Sequence, residues 1–208
     1  MKPFGLILAL TVGALATRAD IIVQQKLEST GQNGTLILKM KDDNIRTDMP
    51  SDRLGTISLI QNLTTGDKIF MVPSQKRAKR QPAGNLPVGG ECPQLVDTGK
   101  TEKVGNYNAE IYTWTNHQDM GGVVWVAPGH PDYPRFKSLM QKLHASHAWQ
   151  MVRTTQPDLS LLPGLVVKSK KETPEGELIT TFISIKEEPV AAADFQIPAD
   201  YTIAGPGE

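Results

Sequence analysis

The sequence predicts a mainly β domain of the α+β class: a curled antiparallel sheet, a half-barrel, with one long helix packed on it. Three observations lead there. Five segments of alternating apolar residues run from Ile21 to Val72, joined by turns too short for a parallel crossover. A single later segment carries apolar residues at helical spacing. A hairpin of two more alternating segments then closes the chain.

The first segment alternates through Ile21, Val23 and Leu27, and Gly31-Gln32-Asn33-Gly34 turns it. Leu36, Leu38 and Met40 share one face of the next, with Thr35, Ile37 and Lys39 on the other. Asp42-Asp43-Asn44 turns the chain into a short strand from Ile45 to Met49. Gly55 to Leu63 is a fourth strand, and Thr64-Thr65-Gly66-Asp67 leads to a fifth from Lys68 to Val72. The alternation then stops. Residues 74–93 hold the basic run Lys76-Arg77-Ala78-Lys79-Arg80 and a Gly- and Pro-rich stretch, which reads as a long exposed loop open to trypsin-like proteases.

Strands resume at Ala109–Thr115 and Gly121–Ala127. Val123 to Ala127 is apolar on both faces, as in a central strand. Pro131, Asp132 and Pro134 mark a helix start. Phe136, Leu139, Met140 and Leu143 form its apolar stripe, and it ends between His147 and Val152. The closing hairpin runs Leu165–Lys171 and Glu177–Lys186 around Thr173-Pro174-Glu175-Gly176. Asp194 to Tyr201 reads as a terminal extended segment.

Composition bounds the function. Lys2, an apolar run from Phe4 to Ala16, and Ala14-Leu15-Ala16 follow the grammar of a cleavable signal peptide over residues 1–19, cut near Ala16 or Ala19. The apolar run breaks at Arg18 and Asp20, short of the roughly 20 residues a membrane span needs. No Cys stands near the cut, so the expected mature chain, a single β-rich domain over 20–208, carries no lipid. Cutting after Ala19 removes two of the 22 basic residues and none of the 22 acidic ones, for a net charge of −2. Such a chain has no field for drawing in nucleic acid. Cys92 is the only cysteine, which excludes an internal disulfide and points to a bacterial periplasm or a secreted protein.

No motif carries a reaction. Asp97-Thr98-Gly99 spells the aspartic-protease triplet, but that chemistry needs two such carboxylates, and the tripeptide is also an ordinary turn. Thr98-Gly99-Lys100-Thr101 lacks the Gly that a phosphate-binding loop needs at position 94, which is Gln. His144 and His147 have metal-ligand spacing without a Glu or third ligand, and His147 reads as a core histidine. His117 and His130 fall in loops. Cys92 reads as a bystander thiol. No catalytic residue, metal or cofactor is expected.

Several strands are apolar on both faces, Val123/Trp125 against Val124/Val126 and Leu178/Phe182 against Ile179/Ile183/Ile185. One helix covers only part of one face. The sheet therefore either encloses a groove or meets a partner there. Trp125, Phe136, Met140, Leu143 and Phe182 are the candidate ligand-binding residues.

The motifs Gly105-x-Tyr107-x-Ala109-x-x-Tyr112-x-Trp114, Val124-Trp125-Val126-Ala127, Pro163-Gly164 and Asp194-Phe195-x-Ile197-Pro198-x-x-Tyr201 occur in this order. The chain thereby resembles a bacterial exported family of unknown function, DUF4412, from about Gln24 to Tyr201. Members often have Gly before the final Tyr, where this chain has Asp200. The resemblance implies an envelope location and no reaction. More remotely, the plan is similar to the lipoprotein-carrier half-barrels of the bacterial envelope, which hold acyl chains. The expected function is that of a non-enzymatic exported protein, holding a lipid-like ligand or a protein partner on the concave face. The alternatives are a structural module with a filled core and an uncharacterised hydrolase.

Overall fold

A computed structural model describes residues 20–84, 90–116, 120–174 and 176–204. The expected signal peptide and His117 lie outside these residues. Twelve strands form one sheet: β1 (Ile21–Ser29), β2 (Gln32–Lys41), β3 (Asn44–Ser51), β4 (Gly55–Asn62), β5 (Lys68–Val72), β6 (Arg77–Gln81), β7 (Val96–Val104), β8 (Tyr107–Thr115), β9 (Gly121–Pro128), β10 (Gly164–Thr173), β11 (Gly176–Glu187) and β12 (Thr202–Ala204). Their order is β12-β6-β5-β4-β3-β2-β1-β11-β10-β9-β8-β7. All pairs are antiparallel except β12 with β6. The meander expected over Ile21–Val72 is β1 to β5.

The half-barrel curl is corrected. The sheet is open, with β12 at one edge and β7 at the other. Register explains how strands with two apolar faces are satisfied without closure. Antiparallel partners share a face. Val23 pairs with Leu38 and Ile185, and Met40 with Ile45. These residues meet Leu139, Met140, Leu143 and Ala148 from the helices. We call this the helix face. On the back face, Ile60, Met71 and Ala78 are covered by Phe195, Ile197 and Tyr201. Two layers, not a curl, bury both sides of this half of the sheet.

The closing motif is a clamp. Residues Ala192–Phe195 form a 3₁₀ turn, not an extended strand, and β12 follows it at the sheet edge. Lys39 Nζ donates to the Asp194 carboxylate at 2.9 Å, and Arg46 Nη1 donates to the Asp194 carbonyl at 2.8 Å. Arg46 Nε is itself held at 2.8 Å by Asp48, which also accepts from the fully buried Ser58 hydroxyl at 2.6 Å. Asp200 pairs with Lys76 at 2.9 Å.

The exposed loop expected at 74–93 is corrected over residues 77–81, and its residues 85–89 lie outside the described ones. Residues Arg77–Gln81 are strand β6, between β5 and β12. Ala78 is buried while Arg77 and Lys79 point outward, so the alternation was hidden by charge. Cationic side chains are a usual guard on strands near a sheet edge. Limited trypsin digestion of the folded protein, read by mass spectrometry, should therefore spare the bonds after Lys76, Arg77, Lys79 and Arg80. Early cleavage there would show that β6 is not held in the sheet.

The helix is corrected in length. α1 (Tyr133–His144) stops at Ala145, and α2 (His147–Val152) begins anew. Ser146 causes the break: its hydroxyl bonds the Leu143 carbonyl and accepts from Trp149 N at 3.1 Å, capping α2. Within α1, Phe136 and Leu139 are buried, and Met140 and Leu143 are half-buried.

Asp20, just before β1, ties the two ends of the fold. Lys41 Nζ donates to its carboxylate at 2.8 Å and Val190 N at 2.8 Å. Burial alone would raise its pKa, but these two bonds outweigh it and hold the carboxyl below its ordinary 3.8. A depressed carboxylate contributes stability that is full above its unfolded pKa and lost as pH falls through the folded value. Asp20→Asn should thus be the less stable protein at pH 7, and its acid melting curve should converge on that of the unsubstituted protein below 3.8. A gap that persists unchanged into acid would count against this pairing.

Candidate functional site

An apolar cavity lies between the helices and the helix face of β4 and β5. Leu59 pairs with Thr47, and Gln61 with Ile45 and Lys68, which places Leu59, Gln61 and Lys68 on the same face as Met40 and Val23. They form the floor. The roof comes from the end of α1 (Met140, Leu143, His144), from α2 (Ala148, Trp149, Val152) and from the returning segment Gln156–Ser160. The cavity measures about 420 Å³. Phe70, paired with Leu59, continues the apolar floor into solvent at 37% exposure.

The break at Ser146 creates this space. A continuous helix would carry Trp149 and Val152 along the axis of α1. The kink turns α2 so that both side chains reach the cavity, and Trp149 stacks beside His144 with ring centroids 5.2 Å apart. The polar groups are few. Asp158 Oδ2 stands 3.0 Å from His144 Nδ1, an ion-pair distance without hydrogen-bond alignment, and Asp158 Oδ1 accepts from Ser160 N at 2.9 Å.

The structure separates the candidate residues named from sequence. Met140 and Leu143 line the cavity. Phe136 is only 7% exposed and packs in the core under β8–β10. Trp125 is on the other side of the sheet. Lys26 pairs with Thr181, Thr181 with Lys168 and Lys168 with Trp125, and Lys26 points opposite to Leu27 and Val23. There the indole Nε1 donates to Glu102 at 2.8 Å, and the Lys168 ammonium lies 4.4 Å from the ring centroid. Phe182 faces the helices but lines a separate cavity with Tyr107, His130 and Val167. Tyr107 and Phe182 flank the His130 ring at 4.4 and 5.4 Å. Burial lowers the His130 pKa from its ordinary 6.5, against the pull of Asp132.

The remaining motifs have structural places. Asp97-Thr98-Gly99 is a bulge in edge strand β7: Gly99 takes φ +66 and donates to Asp97 Oδ1 at 2.8 Å. Burial raises the Cys92 thiol above its ordinary 9.0, and Sγ donates to the Gln156 carbonyl at 3.2 Å, which suits a protonated thiol and not a nucleophile. His147 sits at the start of α2 against Gly66, its Nε2 buried without a hydrogen-bond partner. Among the described residues, no three His, Cys, Asp or Glu converge as a metal site. No helix among them is long and apolar enough to cross a membrane.

The chain matches the model of one family. Its profile, described as a domain of unknown function, DUF4412, matches residues 22–201. The chain belongs to the DUF4412 family. This DUF4412 domain therefore runs from β1 to the last residue of the clamp, Tyr201. Its fold is shared with an uncharacterised conserved protein from Thermus thermophilus, at 6% identity and a TM-score of 0.54, over 89% of this chain and 90% of that one. Looser likenesses are to the Mycobacterium tuberculosis lipoprotein LppX (9% identity, TM-score 0.42, 83% and 88% coverage) and to PNGF-II. The latter has 12% identity and a TM-score of 0.41, and 89% of this chain covers 30% of it. No curated protein matches the DUF4412 chain.

Proposed function

We propose that this DUF4412 protein is a non-enzymatic exported protein of the bacterial envelope that holds a lipid-like ligand under its helices. The observation that carries the reading is the cavity of about 420 Å³ walled by Leu59, Met140, Leu143, Trp149, Val152 and Leu159. Its size falls within the roughly 300–1,000 Å³ of small-molecule sites, and such sites are mainly apolar with a few polar groups. Its walls come from separate elements, so helix movement could admit a chain without breaking the sheet. Export rests on the Lys2, Phe4–Ala16 and Ala14-Leu15-Ala16 pattern.

The hydrolase reading has one observation on its side, the His144–Asp158 pair in the cavity wall. The nearby Ser146 hydroxyl is committed to the Leu143 carbonyl and to capping α2. Among the described residues no hydrogen bond joins His144 to the hydroxyl of Ser146 or to that of Ser160, the other serine in the wall, and the binding reading is preferred. Titration with the fluorescent polyene cis-parinaric acid tests it: saturable, one-to-one enhancement supports the cavity as a binding site. Absence of saturable binding favours a filled structural module.

A further inference from the structure

Within that cavity the charges are uneven. Lys68 opens β5, is half-buried and projects from the helix face into the cavity floor. The one carboxylate in the wall, Asp158, accepts from the Ser160 N–H at 2.9 Å and stands 3.0 Å from His144 Nδ1 with no hydrogen bond between them. Among the described residues Lys68 has no ion-pair partner, whereas neighbouring lysines do: Lys39 with Asp194, Lys41 with Asp20, Lys76 with Asp200 and Lys142 with Asp43. A half-buried cation beside an apolar wall is costly unless an anion meets it. Gln61 stands directly across from it as a neutral donor.

Resting on the binding reading above, we propose that the occupant is a single-chain amphiphile with one carboxylate, a long-chain fatty acid. Its carboxylate meets the Lys68 ammonium, and its chain lies between Leu59 below and Leu143, Trp149 and Val152 above. A single cation suits a monoanionic head. The volume suits one acyl chain in place of the several chains of a larger lipid.

The test compares cis-parinaric acid with its methyl ester, which has the same chain and no charge. The unsubstituted protein should bind the acid at least about tenfold more tightly, the size expected of one charge-assisted hydrogen bond. Lys68→Met should bring acid binding down to the level of the ester, and Lys68→Glu should bind the ester more tightly than the acid. Equal binding of acid and ester to the unsubstituted protein overturns the carboxylate assignment but leaves the cavity reading intact. The same holds if the acid preference survives Lys68→Met. If neither probe binds, both readings fall.

Discussion

Leu139→Ala should lose about 2–5 kcal/mol of stability, the range for emptying a buried leucine site. Leu139 is 2% exposed and is the fully buried helix residue in the cluster of Val23, Met40, Ile45, Leu63 and Ile185. Those partners come from β1, β2, β3 and β11, fixed by strand pairing, and from the turn after β4, where the Leu63 N–H donates to the Asp43 carbonyl at 2.7 Å. The surroundings therefore have little freedom to collapse into the void, which puts the loss toward the upper part of that range. Chemical denaturation at neutral pH measures it through the shift in midpoint at constant slope. A loss below about 1 kcal/mol, the size of an undemanding site, would mean that α1 is not docked on the sheet as described.

One turn further along, Leu143 should behave in the opposite way. It is half-buried and faces the cavity, so Leu143→Ala enlarges a space that already exists. The expected loss of stability is about 1 kcal/mol or less. Leu143→Trp, in contrast, places an indole in the 420 Å³ space beside Trp149 and should weaken parinarate binding by at least about tenfold while the protein stays folded. The contrast between residues 139 and 143 separates a docked helix over an open cavity from a helix on a filled core. Equal, large losses of stability at both positions would favour the filled core.

Much of the fold was legible because the meander β1 to β5 alternates cleanly, as in Leu36, Leu38 and Met40. The clamp was legible as a motif, though its role was not: nothing local says that Asp194 will reach Lys39 and Arg46, over 140 residues away. Three strands escaped: β12 because it has only three residues, and β6 and β7 because their alternation is polar. β6 buries only Ala78 among cations, and β7 is an edge strand whose residues are mostly exposed. The helix break was readable in principle from Ser146, a capping residue, but the helix was read through it to an end between His147 and Val152. Trp125 was misplaced because alternation separates two faces without saying which one the helix covers. That depends on pairing through β1, β11 and β10. The cavity itself arises where Gln156–Ser160 approaches β4 and β5, a long-range contact with no periodic signature.

The most direct test of the account is native mass spectrometry of the protein purified from its own source without detergent. The predicted result is a bound small molecule at one copy per chain, released on gentle activation and missing from Leu143→Trp. A bare polypeptide mass, from a preparation that also takes up no parinarate, would contradict it and leave a closed structural module in its place.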